Sequence, residues 1–320
     1  VLVDGGDGVG ERAANRMNML GYSRVTILED GMTAWIEAGY EAFMGVNVPC
    51  KAFGEVVEQT AHTPSISPEE LHAMQSRGEK VVVLDGRSPA ELNRMNIPGG
   101  VSVPNAELVY RVHDFTPDQK TTVVINCAGR TRSIIGAQTL INAGLPNRVV
   151  ALRGGTMGWR LAGFQLENGT ERTYGNLSDE AKSKAVYYAT NMAERFGVKT
   201  VKRTAFKAWQ EDKARTTYIL DVRSQEEYET GHIPGSTFAP GGQLVQSCDQ
   251  WCGVKGARIV LIDDETNVRA ITTAHWLLQM GWEVYALEGG IQSDGTETDM
   301  PKAPTLGLAN LVLEEMDGDA

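Results

Sequence analysis

The sequence predicts an α/β protein of tandem domains, each a mainly parallel sheet flanked by helices. Short apolar strands alternate with helical segments along most of the chain, which is typical of parallel sheets covered by helices. One pattern recurs three times: an apolar strand, a short loop, a helix, a second strand and then a glycine at the next turn. Such a recurrence indicates repeated structural units.

The second and third repeats agree in spacing over a whole domain. Asp85 and Asp221 follow equivalent strands, and Gly144 and Gly281 end equivalent helices. Because the two pairs are separated by almost the same number of residues, we interpret these repeats as homologous domains. The first repeat lacks the earlier half of the unit, since the chain begins on its central strand.

Four segments follow from this alignment: half of a non-catalytic domain at 1–45, a catalytic domain at 64–168, a linker helix at 178–196 and a non-catalytic domain at 198–300. A half domain leaves apolar surface uncovered, so we expect the natural protein to extend further at its N-terminus. The alternative is that this segment packs on the next domain as an accessory unit. Residues 46–63 are loosely patterned and are interpreted as a linker.

Helix signals support this division. Ser67, followed by Pro68 and then Glu70, predicts a capping box with proline at the first helical position. Gly144 stands where helix C-caps favour glycine. Ser178 opens a segment with apolar residues on one face, and Gly197 ends it, so we expect a helix packed between domains.

The composition limits the classes of function. The chain has 320 residues, 42% of them hydrophobic and 22% charged, which is ordinary for a globular protein. Its net charge of -11 argues against nucleic acid as the main partner, and no apolar run is long enough to cross a bilayer. Local clusters of arginine therefore stand out from the background.

The four cysteines are too scattered for a disulfide framework, which favours a reducing, cytoplasmic setting. Cys248 and Cys252 form a Cys-x3-Cys pair without a matching His or Cys pair, a weak zinc signal. Cys50 lies in the predicted linker and is interpreted as incidental, although an exposed thiol there could accept sulfur. Cys127 differs from these three because of the sequence around it.

Cys127 follows an apolar strand and precedes a helix that starts near Ser133. A glycine-containing loop at that place can turn its amides inward as an anion site, and the helix N-terminus adds about half a positive charge. Arg130 and Arg132 lie in the same loop. These features favour the thiolate, which is the nucleophilic form of cysteine. The alternative is a buried core cysteine, but two arginines and a glycine within five residues are an unfavourable environment for an inert core cysteine.

Several motifs together resemble the rhodanese superfamily, and the resemblance covers nearly the whole chain. Residues 85–88 and 221–224 look like its first signature and residues 231–235 like its second. Residues 127–133 look like its catalytic loop, and Gly154-Gly155 with Trp159 like its closing motif. The resemblance implies tandem rhodanese-like domains and a sulfurtransferase that moves sulfane sulfur from a donor such as thiosulfate to a thiophilic acceptor.

In this scheme Cys127 carries the sulfur as a persulfide, without a metal or an organic cofactor. The partners would be a small anionic sulfur donor and a thiol, cyanide or protein acceptor, with no nucleic acid or membrane. We expect the donor to be bound by the rest of the loop: Ala128, Gly129, Arg130, Thr131, Arg132 and Ser133. Asp85 and Arg87 are expected to support the loops structurally, and Arg132, which has the counterpart Arg269, could also be structural.

The other repeats lack the nucleophile. Alignment on the helix-ending glycines places Asp264 and Asp4 opposite Cys127. A carboxylate cannot form a persulfide and would repel thiosulfate, so we interpret both repeats as non-catalytic scaffold or docking units. Two alternatives to the enzyme remain: a sulfur-relay or protein-docking module with little small-molecule turnover, and a phosphatase of the Cys-Arg type. The second is disfavoured because only four residues separate Cys127 from Arg132.

Overall fold

The computed structural model describes residues 1–40, 48–291 and 296–298. The chain divides into two compact units, one that includes residues 1–40 and a larger one that starts at Pro49. In the smaller unit Leu2 and Ile27 form a parallel bridge. Each of these two residues is followed by a helix, in chain order α1 (Val9–Met19) and α2 (Gly31–Glu37).

The interpretation of residues 46–63 as a loosely patterned linker is wrong. Most of this segment is a helix, α3 (Val48–Ala61). The helix is held by residues far away in the sequence. The ring of Phe53 lies 5.7 Å from that of Trp276, and Val57 is buried in a cluster with Ile134. The local sequence pattern does not show these distant partners, so the helix was not predicted.

The larger unit contains two five-stranded parallel sheets. The strands of the first are β1 (Ser65–Ile66), β2 (Val81–Asp85), β3 (Val101–Ser102), β4 (Thr122–Asn126) and β5 (Val149–Leu152). Their order is β1-β5-β4-β2-β3, so β4 is central, and every one of its residues is buried. Asp85 pairs with Asn126 at the carboxyl ends of β2 and β4. The loops that follow these two strands therefore meet at one edge of the sheet.

The helices of this domain lie between its strands in the sequence: α4 (Pro68–Ser76), α5 (Pro89–Arg94), a 3-10 turn (Asn105–Glu107), α6 (Leu108–Phe115), α7 (Thr131–Ala143) and, after the last strand, α8 (Gly155–Leu161). The predicted capping box is confirmed at Ser67 and Glu70, and Ser88 with Glu91 forms a second one. Gly144 ends α7 with a φ of 88°, which a residue with a side chain adopts only under strain.

The second sheet repeats the first. Its strands are β6 (Lys199–Val201), β7 (Thr217–Asp221), β8 (Thr237–Phe238), β9 (Arg258–Ile262) and β10 (Glu283–Leu287), in the order β6-β10-β9-β7-β8. The helices of this domain are α10 (Arg203–Glu211), α11 (Gln225–Thr230), α12 (Gly241–Gln246), α13 (Cys248–Trp251) and α14 (Val268–Gln279). The predicted fold class, tandem α/β domains with parallel sheets, is confirmed.

The helix expected between the domains is α9 (Asp179–Phe196). Its buried face carries Ala185, Ala189 and Met192, which pack in one apolar cluster with β4 and with Val268 of α14. Small alanines allow a helix to approach its neighbours closely, so this face suits a position between two domains. None of the helices in the described ranges is both long and apolar enough to span a bilayer. The ends of the predicted outer segments, residues 41–45, 292–295 and 299–300, lie outside the described residues.

Candidate active site

Cys127 lies at the carboxyl end of the central strand β4, four positions before the start of α7. The residue is 2% exposed. Its thiol donates to Ser133 Oγ at 3.5 Å, and that hydroxyl in turn donates to the carbonyl of Arg130 at 2.8 Å. Ala128 and Gly129, which follow the cysteine, are half-buried, whereas Arg130 is exposed. The loop thus rises from the core at the cysteine to the surface at the arginine.

The backbone amides of this loop are unpaired. Within residues 48–291, the amides from Ala128 to Ser133 donate to no backbone or side-chain acceptor, and the first bond of the helix runs from Ile134 to the Arg130 carbonyl. Unpaired amides at a helix N-terminus favour an anion, because each supplies a donor and together they carry the positive end of the helix dipole. The loop beside Cys127 can therefore bind a small anion or a sulfur anion.

The equivalent loop of the last domain is filled by its own carboxylates. Asp263 Oδ2 accepts from the amides of Arg269 and Ala270 at 2.7 and 2.9 Å. Asp264, which aligns with Cys127, accepts from the amide of Thr266 at 2.8 Å. The donors that stay free beside Cys127 are thus satisfied internally here, and no anion from outside is needed.

The loop of the first unit is filled in the same way. Asp4, also aligned with Cys127, accepts from the amides of Gly10 at 2.8 Å and Gly6 at 2.9 Å. These two hydrogen bonds lower the pKa of the Asp4 carboxyl, which therefore stays charged. Helix α1 begins five residues after Asp4, whereas α7 begins four residues after Cys127. The loop of the first unit is therefore one residue longer.

The Gly154-Gly155 pair fixes the cysteine loop from the other side. Gly155 has a φ of 52°, and a Cβ placed on it would stand 2.3 Å from the Cys127 carbonyl oxygen. The amide and hydroxyl of Thr156 donate to that same carbonyl at 2.8 and 3.1 Å. Gly31 and Gly290 make the corresponding approach to the carbonyls of Asp4 and Asp264, which supports the alignment of the three repeats.

Arg132 does not lie free in the loop. Its guanidinium makes two parallel hydrogen bonds to the carboxylate of Glu91, at 2.8 and 2.7 Å. Arg269 makes the same pair with Glu227 in the last domain, at 2.7 and 2.9 Å. A pairing that recurs in a domain without the cysteine favours the structural role for Arg132 over donor binding.

Arg130 is exposed and pairs with α3. Its guanidinium contacts the carboxylates of Glu55, at 2.9 Å, and Glu58. Gly54 of the same helix lies against the loop, since a Cβ there would stand 2.6 Å from the Thr131 methyl group. The loop therefore has acidic neighbours that the sequence did not reveal, because α3 was not recognised as a helix.

Asp85 and Arg87 form a buried pair at the end of β2. The guanidinium donates to both carboxylate oxygens of Asp85, at 2.8 and 2.7 Å, and to the carbonyl of Met95 at 2.8 Å. Asn126, next to Cys127, donates to Asp85 at 2.7 Å and to the hydroxyl of Thr156 at 3.1 Å. The pair therefore supports the cysteine loop through Asn126. Thr156 was missed in the sequence, although its place directly after the two glycines marked it.

Two five-stranded parallel sheets in one chain, one of them with a cysteine loop at the end of its central strand, define a class of tandem α/β proteins. The rhodanese-like domain family matches residues 67–162 and 202–294, and the chain belongs to this family. The predicted resemblance is therefore confirmed for both complete domains.

Three similar proteins can be compared with the chain. The crystal structure of a thiosulfate sulfurtransferase from Pseudomonas aeruginosa is 51% identical, has a TM-score of 0.91 and is matched over 94% of this chain and 57% of that one. A probable adenylyltransferase/sulfurtransferase from Mycobacterium tuberculosis is 27% identical over 48% of this chain and 39% of its own length. A sulfurtransferase from Allochromatium vinosum is 31% identical over 32% of this chain and 92% of its own length. The chain thus spans little more than half of the Pseudomonas protein.

The Glu91–Arg132 pair predicts part of the acid sensitivity of the fold. Burial raises the pKa of Glu91, but the hydrogen bond and charge of Arg132 outweigh it and lower the pKa to about 2. The stabilisation is complete above the unfolded value of 4.5 and is lost as the pH falls towards about 2. We expect Glu91→Gln to destabilise the protein by about 1 kcal/mol near neutral pH and much less in acid. Urea unfolding as a function of pH measures this.

Glu227→Gln in the last domain is the matched variant, because Arg269 lowers the pKa of Glu227 to about 2 against the effect of burial. Both variants should flatten the acid limb of the stability curve. An unchanged acid limb in both would contradict the structural role of these pairs.

The close approach of Gly155 gives a second prediction. Gly155→Ala adds a clash with the Cys127 carbonyl to the strain of a left-handed backbone, which by itself costs about 1–2 kcal/mol. Gly163 is the control, because it has a φ of 85° and nothing within 4 Å of an added Cβ. We expect Gly155→Ala to lower the unfolding free energy clearly more than Gly163→Ala in urea titrations. Equal losses would show that the approach to Cys127 is not constraining.

Proposed function

We propose that this chain is a sulfurtransferase in which Cys127 carries sulfane sulfur as a persulfide. The observation that carries the proposal is the unpaired amide loop from Ala128 to Ser133 beside a cysteine. In the two other repeats, Asp4 and Asp264 occupy the cysteine position and carboxylates take the amides. One loop of the three thus combines a nucleophile with unpaired amides that could bind an anion. The similarity to a thiosulfate sulfurtransferase supports the same activity.

The chemistry proceeds in two transfers. The Cys127 thiolate attacks the outer sulfur of thiosulfate, the S–S bond of the donor breaks, and sulfite leaves with the bonding electrons. The product is a cysteine persulfide, whose terminal sulfur is an anion that the loop amides can hold. Cyanide or a thiolate then attacks that terminal sulfur, and the Cys127 thiolate is released. No redox equivalents from outside are needed, because sulfur passes between donor and acceptor at one oxidation level.

The loop residues have separate parts in this proposal. The amides of Ala128, Gly129, Thr131 and Ser133 bind the anion, and the Ser133 hydroxyl contacts the sulfur. Arg130 is the exposed cation that meets the arriving donor, in competition with the carboxylates of Glu55 and Glu58. Arg132 contributes its amide, while its guanidinium stays with Glu91. Asp85 and Arg87 act only through the loop they support.

This arrangement favours sulfur transfer over phosphate-ester chemistry. A Cys-Arg phosphatase needs a guanidinium directed at the phosphate, whereas that of Arg132 is held in a bidentate pair with Glu91. A sulfur-relay role shares the Cys127 persulfide and differs only in the acceptor. Two repeats without a nucleophile favour protein docking, so a protein thiol is the competing acceptor. A relay would load sulfur yet transfer it poorly to cyanide and well to a protein thiol.

The persulfide is tested by mass. After incubation with thiosulfate, we expect intact mass spectrometry to show one added sulfur, and peptide mapping to place it on Cys127. Cys127→Ser should abolish both the added mass and thiocyanate formation from thiosulfate and cyanide. Cys252→Ser is the control, since Cys252 is a buried free cysteine outside the loop. Full activity of Cys127→Ser would reject the proposal.

The role of Arg130 is tested by the apparent affinity for thiosulfate. We expect Arg130→Ala to raise the KM several-fold, because the exposed cation is lost, and Glu58→Gln to lower it, because the guanidinium is released from a carboxylate. Arg153→Ala is the control, since Arg153 is an exposed arginine paired with Glu70. Steady-state kinetics at constant ionic strength measures all three variants. A KM unchanged by both Arg130→Ala and Glu58→Gln would remove Arg130 from donor binding.

A further inference from the structure

Two cysteines that sulfur transfer does not use lie in contact. The Sγ atoms of Cys50, on α3, and Cys248, at the start of α13, are 3.3 Å apart. The two residues are almost 200 positions apart in the sequence, and both are buried in the apolar cluster of the last domain. The sequence showed Cys248 with Cys252 but gave no reason to join either to Cys50. The structure therefore brings together a thiol pair that the pattern concealed.

We propose that Cys50 and Cys248 form a redox-active thiol pair, a modification site separate from Cys127, which a hydroperoxide converts to a disulfide. The contact needs the sulfurs to approach from 3.3 Å to the bond length of about 2.05 Å. A movement of that size is within the reach of side-chain rotation.

Cys248 is the sulfur that reacts first. It lines a cavity of about 720 Å³ together with Cys252, Trp282 and the exposed residues Asp249 and Lys255, whereas Cys50 does not line it. A small oxidant can thus enter on the side of Cys248. The contact between the two thiols lowers the pKa of Cys248 and raises that of Cys50. Cys248 therefore supplies the thiolate and Cys50 the resolving thiol.

The reaction balances with one hydroperoxide per pair. The Cys248 thiolate attacks the distal peroxide oxygen, the O–O bond breaks, and the leaving oxygen takes a proton, which gives a sulfenic acid and water or an alcohol. The Cys50 sulfur then attacks the sulfenic sulfur, the S–O bond breaks, and water leaves. The two thiols lose two electrons and the peroxide gains them. A dithiol reverses the change by thiol–disulfide exchange.

The same group could be considered as a metal site, because Asp249 brings a carboxylate oxygen within 4.8 Å of both sulfurs. The distance between the sulfurs argues for the disulfide. Two thiolates on a tetrahedral zinc ion, with bonds of about 2.3 Å, lie about 3.8 Å apart, farther than the pair in this structure. Asp249 is also exposed, whereas structural zinc sites are closed.

The pair is linked to the loop of Cys127 through one helix. Cys50 lies one helical turn before Gly54, which touches Thr131, and the next turn carries the two carboxylates that hold Arg130. A disulfide would tie the start of α3 to α13 and keep Glu55 and Glu58 at the loop. This consequence rests on the proposed function: oxidation should raise the KM for thiosulfate several-fold, since the donor must displace carboxylates that can no longer yield.

The experiment uses the full chain, reduced with a dithiol, desalted and treated with hydrogen peroxide. Free thiols are then alkylated, and the peptides are mapped without reduction. We expect a crosslinked peptide pair that joins Cys50 to Cys248 and disappears with dithiol. Cys248→Ser should lose the crosslink and Cys252→Ser should keep it. In Cys50→Ala, a cyclic dione should trap the sulfenic acid on Cys248.

Three results would overturn the thiol pair: a crosslink from Cys248 to Cys252, oxidation of Cys127 with Cys50 and Cys248 still free, or one zinc ion per chain that Cys248→Ser releases. The kinetic consequence is separated from peroxide damage to Cys127, because loss of active cysteine lowers kcat and leaves KM unchanged. We expect oxidation to raise the KM for thiosulfate in the wild type and not in Cys248→Ser. If oxidation leaves the KM unchanged in both proteins, the link to Arg130 is overturned. Failure to load sulfur would sink the proposed function and leave the crosslink standing.

Discussion

In each repeat, one loop and the helix after it present amides that have no partner within the helix, and the rest of the site depends on what satisfies them. In the last domain Asp263 and Asp264 accept them, and in the first unit Asp4 does. Beside Cys127 no side chain of the described residues takes that place. The loop amides are therefore satisfied by side chains where carboxylates follow the strand, and they stay unpaired where the cysteine follows it. Two positions differ between these domains, since Asp263 replaces Asn126 and Asp264 replaces Cys127, and both carboxylates accept amides that stay unpaired beside the cysteine.

The open loop must be held without using its amides, and its carbonyls serve that purpose. Thr156 donates twice to the carbonyl of Cys127, and Met157 donates to that of Ala128 at 3.0 Å. Such contacts need the two backbones to come close, which Gly155 permits. Fixing the loop through its acceptors leaves its donors free, so rigidity and anion binding are compatible in one short segment.

The sequence predicted the fold well because the fold depends on local signals that repeat. Capping boxes, helix-ending glycines and apolar strands recur at equal spacing, and the structure has helices and strands where they indicate. The sequence failed at α3 and at the partners of the arginines, because these depend on contacts between distant residues. Nothing near Cys50 points to Cys248, and nothing near Arg130 points to Glu58. Arg132 was partly foreseen, since its counterpart Arg269 occurs in a domain without the cysteine.

The arginines of the loop therefore contribute less to the field at Cys127 than their number suggests. Arg132 is neutralised by Glu91, and Arg130 faces two carboxylates of α3 in a chain of net charge -11. The opposite charges of such an ion pair largely cancel in their effect on a distant sulfur, whereas an amide donor acts directly through one hydrogen bond. In the proposed function, the stabilisation of a sulfur anion therefore depends on the backbone of the loop. That stabilisation would depend on loop conformation more than on net charge, and α3 contacts the loop at Thr131 and Arg130.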